Sequence, residues 1–215
     1  MKKNILLFGA NGFIGKKFLK NYSDEYNIYP VYRNRSEEHL SFNFENCETI
    51  QNLVEKLDFQ IDGILFLQGK NPSIGINEIS ENDFINMMRI NIVSPLLFIR
   101  DLKEKLASNC SVIFISSVAK QKGSYDPSYA VAKAGLVGLI HSLANHFPNL
   151  RFNSISLGLV EDSPVYQQMT EDFRKKHASR MQSLVKAENV VTVLDMIIQN
   201  TSINRADIAV DGGFI

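Results

Sequence analysis

Two spacings alternate along this chain. Short runs that are apolar nearly throughout give way to longer stretches whose apolar residues recur every three or four positions. The first suits a strand covered on both faces and the second an amphipathic helix. Their alternation marks strand–helix units on a parallel sheet. Strands are predicted at residues 5–8, 28–32, 40–44, 63–67, 111–116, 151–157 and 206–210, and helices at 14–22, 48–57, 81–106, 129–146 and 189–200. Seven strands with intervening helices predict an α/β fold, a doubly wound parallel sheet with helices on both faces. No internal repeat, low-complexity tract or linker divides the chain, so residues 1–215 are expected to form one domain.

The stretch 81–106 keeps its apolar spacing past Pro95, and Ser80 followed by Asp83 resembles a helix start. A proline inside a helix lacks the N–H that would bond the carbonyl four residues back, and its ring clashes there. A kink at Pro95 is predicted, with the backbone oxygen of Asn91 left free to bind water. A core helix with a tolerated kink explains the same residues.

Composition narrows the class. Hydrophobic residues make up 45% of the chain and charged residues 21%, as in an ordinary globular protein, and formal net charge is zero. That balance gives no reason to expect a nucleic-acid or anionic-membrane partner. Cys47 and Cys110 are the only cysteines and form no Cys-x-x-Cys pair, so reduced thiols are expected. The apolar run after Met1-Lys2-Lys3 is too short for a signal peptide and breaks into Gly9-Ala10-Asn11-Gly12. No stretch approaches the ~18 apolar residues of a membrane span, and a cytoplasmic location is expected.

The glycine turn, Gly9-Ala-Asn11-Gly12-Phe13-Ile14-Gly15, follows the first strand and opens the first helix. In that context a glycine fingerprint points to dinucleotide binding, and the sheet becomes Rossmann-like. Glycine permits the tight turn and lets a pyrophosphate approach the backbone, while the helix N-terminus offers unpaired N–H groups. Arg33 directly follows the second strand, with Asn34 and Arg35 beside it and no Asp or Glu at that turn. A carboxylate there would bind the ribose 2′-hydroxyl, whereas arginine suits a 2′-phosphate. NADP(H) is therefore favoured, and NAD(H) remains open.

Tyr129 and Lys133 stand four residues apart, one helical turn, in Ser128-Tyr129-Ala-Val-Ala-Lys133. A free phenol titrates near pH ~10, and an adjacent cation is expected to lower that value toward useful acid/base catalysis. Ser116 and Ser117 end an apolar run a dozen residues upstream.

Assembled in this order, the motifs resemble the short-chain dehydrogenase/reductase family almost end to end. Asp62-Gly63-Ile-Leu-Phe-Leu-Gln68-Gly69 resembles its fourth-strand signature, Arg89-Ile-Asn91-Ile-Val-Ser-Pro95 the helix with its structural asparagine, and Ile113-Phe-Ile-Ser116-Ser117 the strand with its catalytic serine. Tyr129-Ala-Val-Ala-Lys133-Ala-Gly resembles the active-site helix. Asn153-Ser-Ile-Ser-Leu-Gly158-Leu-Val160 and Val210-Asp-Gly-Gly resemble the sixth-strand and C-terminal signatures. The resemblance implies hydride transfer between NADP(H) and a small carbonyl or alcohol substrate. It casts Tyr129 as acid or base, Lys133 as holder of the nicotinamide ribose, Ser117 as donor to the carbonyl oxygen, and Asn91 as the seat of a relay water. It adds Gly9, Asn11, Gly12, Phe13, Ile14, Gly15, Arg33, Asn34, Asn43, Gln68, Gly69, Gly158 and Val160 to Tyr129 and Lys133 as cofactor contacts, and implies a homodimer or homotetramer.

The chain departs from the family pattern at Gly12, whose spacing is closer to the extended and atypical branches, and at Phe66-Leu67-Gln68, where Asn-Asn-Ala is usual. Asn43 replaces an acidic adenine contact, and Leu157 a proline. The Ser117–Tyr129 interval is one residue short, which keeps Ser116 as the alternative serine. The same fold and motifs also suit an NAD-dependent alcohol dehydrogenase, a sugar-nucleotide-modifying enzyme or a cofactor sensor without turnover. His39, His141, His146 and His177 have no ligand spacing, so no metal is expected. Arg174-Lys175-Lys176-His177 is read as a solvated helix face, and Met87-Met88 as core packing.

Overall fold

The computed structural model describes residues 1–33, 40–45 and 50–214. Asn34, Arg35, His39 and Cys47 lie outside the described residues. Six parallel strands form one sheet: β1 (Asn4–Phe8), β2 (Asn27–Val31), β3 (Ile61–Phe66), β4 (Leu106–Ser117), β5 (Arg151–Leu157) and β6 (Asp207–Val210). Their order is β2-β1-β3-β4-β5-β6. The chain leaves β1 for one side and reaches β3 on the other, so the order reverses between them and opens a crevice at their carboxyl ends. Pro30 sits in β2, an edge strand, where a missing ladder donor is tolerated.

Strand alternation sorts the core into two layers. Leu6, Phe8, Ile64, Phe66, Val112 and Phe114 face α2 (Ile50–Glu55), α4 (Ser94–Leu102) and α6 (Pro127–His146). Ile5, Leu7, Leu65, Ile113 and Ile155 face α1 (Phe13–Tyr22) and α9 (Ala187–Gln199). Both faces are covered by helices, which explains why the central strands carry so few polar residues.

The expected strand at 40–44 does not form. Only Ser41 pairs, in a single bridge to Tyr32. The alternation that suggested a strand has another cause. Phe42 and Phe44 are buried, with ring centroids 4.9 Å apart, and both pack on Phe98 while Asn43 between them stays half-buried.

The expected helix over 81–106 is in fact composite. It runs as α3 (Glu81–Met88), a π-helical turn (Arg89–Val93), α4, and a 3-10 turn at Lys103–Lys105, before β4 takes over at Leu106. The wide turn bonds the Ser94 N–H to the Arg89 carbonyl. Pro95 therefore enters at the start of α4, where a missing N–H is harmless. The irregularity lies one turn before the proline and not at a proline kink. Ser80 caps α3 in a reciprocal capping box with Asp83. The segment after β5 carries α7 (Pro164–Gln168) and α8 (Glu171–Ala178), and α5 (Ala119–Lys122) follows β4.

Candidate active site

Two pieces of backbone build the mouth of the β1–β3 crevice. Gly9 has φ +79, and a Cβ there would lie 2.7 Å from the backbone N of Gln68. A Cβ on Gly15 would lie 2.4 Å from the Gly9 oxygen, so this glycine lets α1 start directly against the turn. The Gly12 N–H returns to the Gly9 carbonyl at 2.8 Å. A crevice of about 380 Å³ results. Gly9, Asn11, Gly12, Arg33, Asn43, Gln68 and Gly69, all expected as cofactor contacts, line it.

Val31, Phe42, Phe44, Glu45, Leu67 and Ile90 line it as well, and the sequence reading missed them. The Phe42-Asn43-Phe44 alternation carries a signal for them, one that equally suits a strand. The segment is held at its C-terminal end: the Ser94 hydroxyl donates to the Phe44 carbonyl at 2.8 Å, and Arg89 donates to the Glu45 carbonyl at 3.1 Å. A smaller hollow of about 280 Å³ adjoins the crevice through Arg33, Phe42 and Asn43, and adds Ser41, Asn52 and Lys56.

Other expected cofactor contacts lie elsewhere. Phe13 and Ile14 pack on an apolar cluster with Val160, Val185 and Val190, away from the crevice lining. Gly158 makes room for another part of the chain: a Cβ there would lie 2.6 Å from the Asp211 carbonyl oxygen. Gly15 acts through packing.

A nicotinamide dinucleotide fits what this crevice offers. The Gln68 side chain donates from Nε2 to the Ile90 carbonyl at 3.4 Å, while its buried Oε1 has no partner among the described residues. An acceptor left unpaired at the wall of a cleft is suited to a donor on a ligand. The glycine cradle beside it is suited to a phosphate.

The second half of the site is carried by α6. Asp126 caps this helix and Pro127 opens it, so it starts two residues earlier than expected; the Asp-Pro pair was the signal for that start. Lys133 is buried, and its ammonium donates to Asn91 Oδ1 and to the Ile115 carbonyl, both at 2.8 Å. Asn91 is itself oriented by a 2.9 Å bond from Nδ2 to the Met87 carbonyl across the π turn. The contact from Asn91 to Lys133 runs through the side-chain amide, and not through the backbone oxygen that the resemblance casts as the seat of a relay water. Met87 is buried, as expected.

Tyr129 lies above Lys133, whose Nζ is 5.6 Å from the ring centroid. Burial holds the phenol above its ordinary value, against a side-chain hydrogen bond with Ser117 that works downward. Burial also pulls Lys133 down to about 8. The expected lowering of the phenol by its neighbour is thus not met in this form. The ammonium is turned to Asn91 and Ile115, and the same burial that weakens its charge disfavours the phenolate. Of the two serines, Ser117 meets Tyr129, whereas the Ser116 hydroxyl donates to the Lys133 backbone oxygen at 3.4 Å. Ser117 also accepts the Ala119 N–H at 3.2 Å, which fixes its rotamer at the turn into α5.

Among the described residues no group of His, Cys, Asp or Glu is arranged to hold a metal ion, and no helix is long and apolar enough to cross a membrane. The basic stretch on α8 has partners of its own: Lys175 pairs with Glu171 at 2.7 Å, and Arg174 stands over the Tyr166 ring.

A family model described as enoyl-(acyl carrier protein) reductase matches residues 23–215. A short-chain dehydrogenase/reductase of Arabidopsis thaliana, SDRA, is 32% identical over 125 residues, which is 54% of this chain and 48% of that protein. The match thus spans about half the length of that relative. Among solved structures, a short-chain dehydrogenase/reductase (glucose/ribitol dehydrogenase) from Brucella melitensis superposes with a TM-score of 0.87 at 18% identity, over 99% of this chain and 98% of that one. A 4-hydroxyisoleucine dehydrogenase complexed with NADH gives 0.84 at 22% identity over the same shares. A metagenomic blue fluorescent protein in complex with NADPH gives 0.86 at 18% over 99% and 97%. At such identities the likeness concerns the fold. The match over residues 23–215 adds descent to that shared fold: the chain belongs to the short-chain dehydrogenase/reductase family, a family of NAD(P)-dependent oxidoreductases.

Proposed function

We propose that this protein is an NADP(H)-dependent carbonyl reductase whose working residues are Ser117, Tyr129, Lys133 and Asn91. The observation that carries this reading is the stack of Ser117, the Tyr129 phenol and the buried Lys133 ammonium, anchored below on Asn91. A nicotinamide held in the crevice would supply the hydride. Ser117 donates a hydrogen bond to the substrate oxygen and stabilises the charge that develops there. Tyr129 passes its proton to that oxygen as the alkoxide forms, so the carbonyl gains one hydride and one proton in all. A phenol kept protonated by burial suits a proton donor. In this reading Lys133, tied to Asn91, returns a proton to the phenolate.

The NADP(H) preference is supported by two cations at the crevice end: Arg33 lines both the crevice and the adjoining hollow, and Lys56 lines the hollow. The ligands of the fold neighbours, NADH in one and NADPH in another, support a nicotinamide cofactor of either kind. Homo-oligomeric assembly belongs to the same reading. Val93, Leu96 and Val131 stay exposed on the π turn, α4 and α6 and offer an apolar face to a second copy. A sedimentation profile that stays monomeric across a hundredfold range of concentration would remove that part.

Titration with NADPH and NADH by nicotinamide fluorescence, followed by turnover on a panel of ketones and aldehydes, tests the reading. Tighter binding of NADPH that is lost in Arg33→Ala is expected. Tyr129→Phe is expected to bind cofactor as wild type does while losing at least about 100-fold in turnover. Equal affinity for both nucleotides rejects the arginine assignment, and a Tyr129→Phe variant as fast as wild type rejects the proton donor.

A further inference from the structure

Asp126 is fully buried, and the reaction proposed above gives it no part. Its two oxygens face different pieces of the chain. Oδ1 accepts the backbone N–H groups of Ser128 and Tyr129 at 3.0 and 3.2 Å and the Ser128 hydroxyl at 2.6 Å. Oδ2 accepts the Ile74 N–H at 3.4 Å, from the segment that links β3 to α3. A buried carboxylate needs this many donors to offset its lost hydration.

The neighbouring contacts close on the same spot. The Tyr125 ring lies against Gly75, where a Cβ would come within 2.5 Å of the phenolic oxygen. The N–H groups of Glu78 and Ile79 both turn back to the Gly75 carbonyl at 3.0 Å. Residues 74–79 thus form a closed turn fastened to residues 125–126. The other end of this segment, Leu67, Gln68 and Gly69, is the wall of the cofactor crevice.

We propose that Asp126 is a positioning residue: one oxygen sets the first turn of the helix that carries Tyr129, and the other holds the crevice segment in register with it. The phenol and the cofactor wall belong to different elements, β3 and α6 being separated in the chain by β4, and this carboxylate is a direct tie between them. The proposal rests on the reading of Tyr129 as proton donor. It deepens that reading by naming what fixes the donor's distance from the crevice.

The two oxygens can be separated by substitution. Asp126→Ser keeps a capping oxygen and lacks the reach to Ile74, because serine caps a helix about as well as aspartate. Asp126→Asn keeps one acceptor and offers an amide to the Ile74 N–H, two donors facing each other. Asp126→Ala loses both functions. For Asp126→Ala, turnover is expected to fall on the order of 10- to 100-fold, since a displaced proton donor is costly. Asp126→Ser and Asp126→Asn keep the helix cap and lose the tie to Ile74, so their turnover is expected to fall by less than that of Asp126→Ala, about three- to tenfold. All three should bind NADPH more weakly, by about three- to tenfold, read by nicotinamide fluorescence. Hydrogen exchange should stay slow at Ser128 and Tyr129 in the Ser variant and speed up at residues 74–79. The Ser and Asn variants carry the test where the Ala variant does not fold. Unchanged NADPH affinity together with unchanged exchange at 74–79 in the Ser variant overturns the proposal, as does an Ala variant that turns over at the wild-type rate. A wild-type protein that binds NADPH but reduces no carbonyl sinks the proposed reaction alone. The exchange pattern of the Ser variant then decides for or against the tie.

Discussion

Lys133 shows how far a single residue's environment departs from its chemistry in isolation. Its ammonium has two good acceptors, Asn91 Oδ1 and the Ile115 carbonyl, yet burial still brings its titration down to about 8. The folded lysine thus loses its proton more readily than the unfolded one. Between about pH 8 and the ordinary value of 10.5 the unfolded chain holds more protons, so stability should rise with pH through that window. Below about 8 the burial penalty is present in full. Tyr129 has the opposite sign: its raised value means that stability falls again once the unfolded phenol ionises, above pH 10. Urea unfolding of wild type and Lys133→Met across this range should give a rise of up to about 1.4 kcal/mol per pH unit in the first and none in the second. Parallel profiles would contradict it.

Among elements, the strand-to-helix turn and the broken helix matter most for the site. Gly15 sits in α1, where an alanine would ordinarily add stability, by about 1 kcal/mol. Here its Cβ would meet the Gly9 oxygen at 2.4 Å and Ala10 Cα at 2.9 Å, both parts of the backbone. Gly15→Ala is therefore expected to lower the unfolding midpoint and weaken nicotinamide binding together, because α1 must shift away from the turn that lines the crevice. A variant with higher stability and intact binding would show that the turn yields. The composite helix makes the complementary case. Its apolar rhythm was legible, but neither the π turn nor the bond from Asn91 to Lys133, forty-two residues away, was. A periodicity argument sees only neighbours along the chain.

At the scale of the whole molecule, Arg151 ties the far edge of the sheet to the last helix. It is buried at the start of β5, without a carboxylate partner among the described residues, and donates to the carbonyls of Ile197, Ile198, Asn200 and Ile203. These are the orphan acceptors at the end of α9 and in the loop that leads to β6. A cation there also opposes the negative end of the helix dipole. Arg151→Met should cost roughly 3 kcal/mol in urea unfolding, by leaving several buried carbonyls unpaired, with NADPH affinity unchanged because the crevice lies at the other ends of the strands. A loss of cofactor binding in step with stability would mean that the two regions are coupled.

The alternating strands and helices, the glycine turn and the ordered run of Ser117, Tyr129 and Lys133 were all legible in the sequence, because each depends on spacing within a few residues. Six of the seven expected strands formed, and seven of the expected crevice residues line one cleft. What tertiary structure decided depends on partners distant in the chain. It turned 40–44 from a strand into a pair of phenylalanine anchors. It packed Phe13, Ile14 and Val160 into one apolar cluster, and it brought the Asn91 side chain to the buried lysine. It also reversed the sign of the phenol's shift. Spacing can put a cation one turn from a tyrosine, but how deeply both are buried, and which oxygens that cation faces, follows only from the packed neighbours.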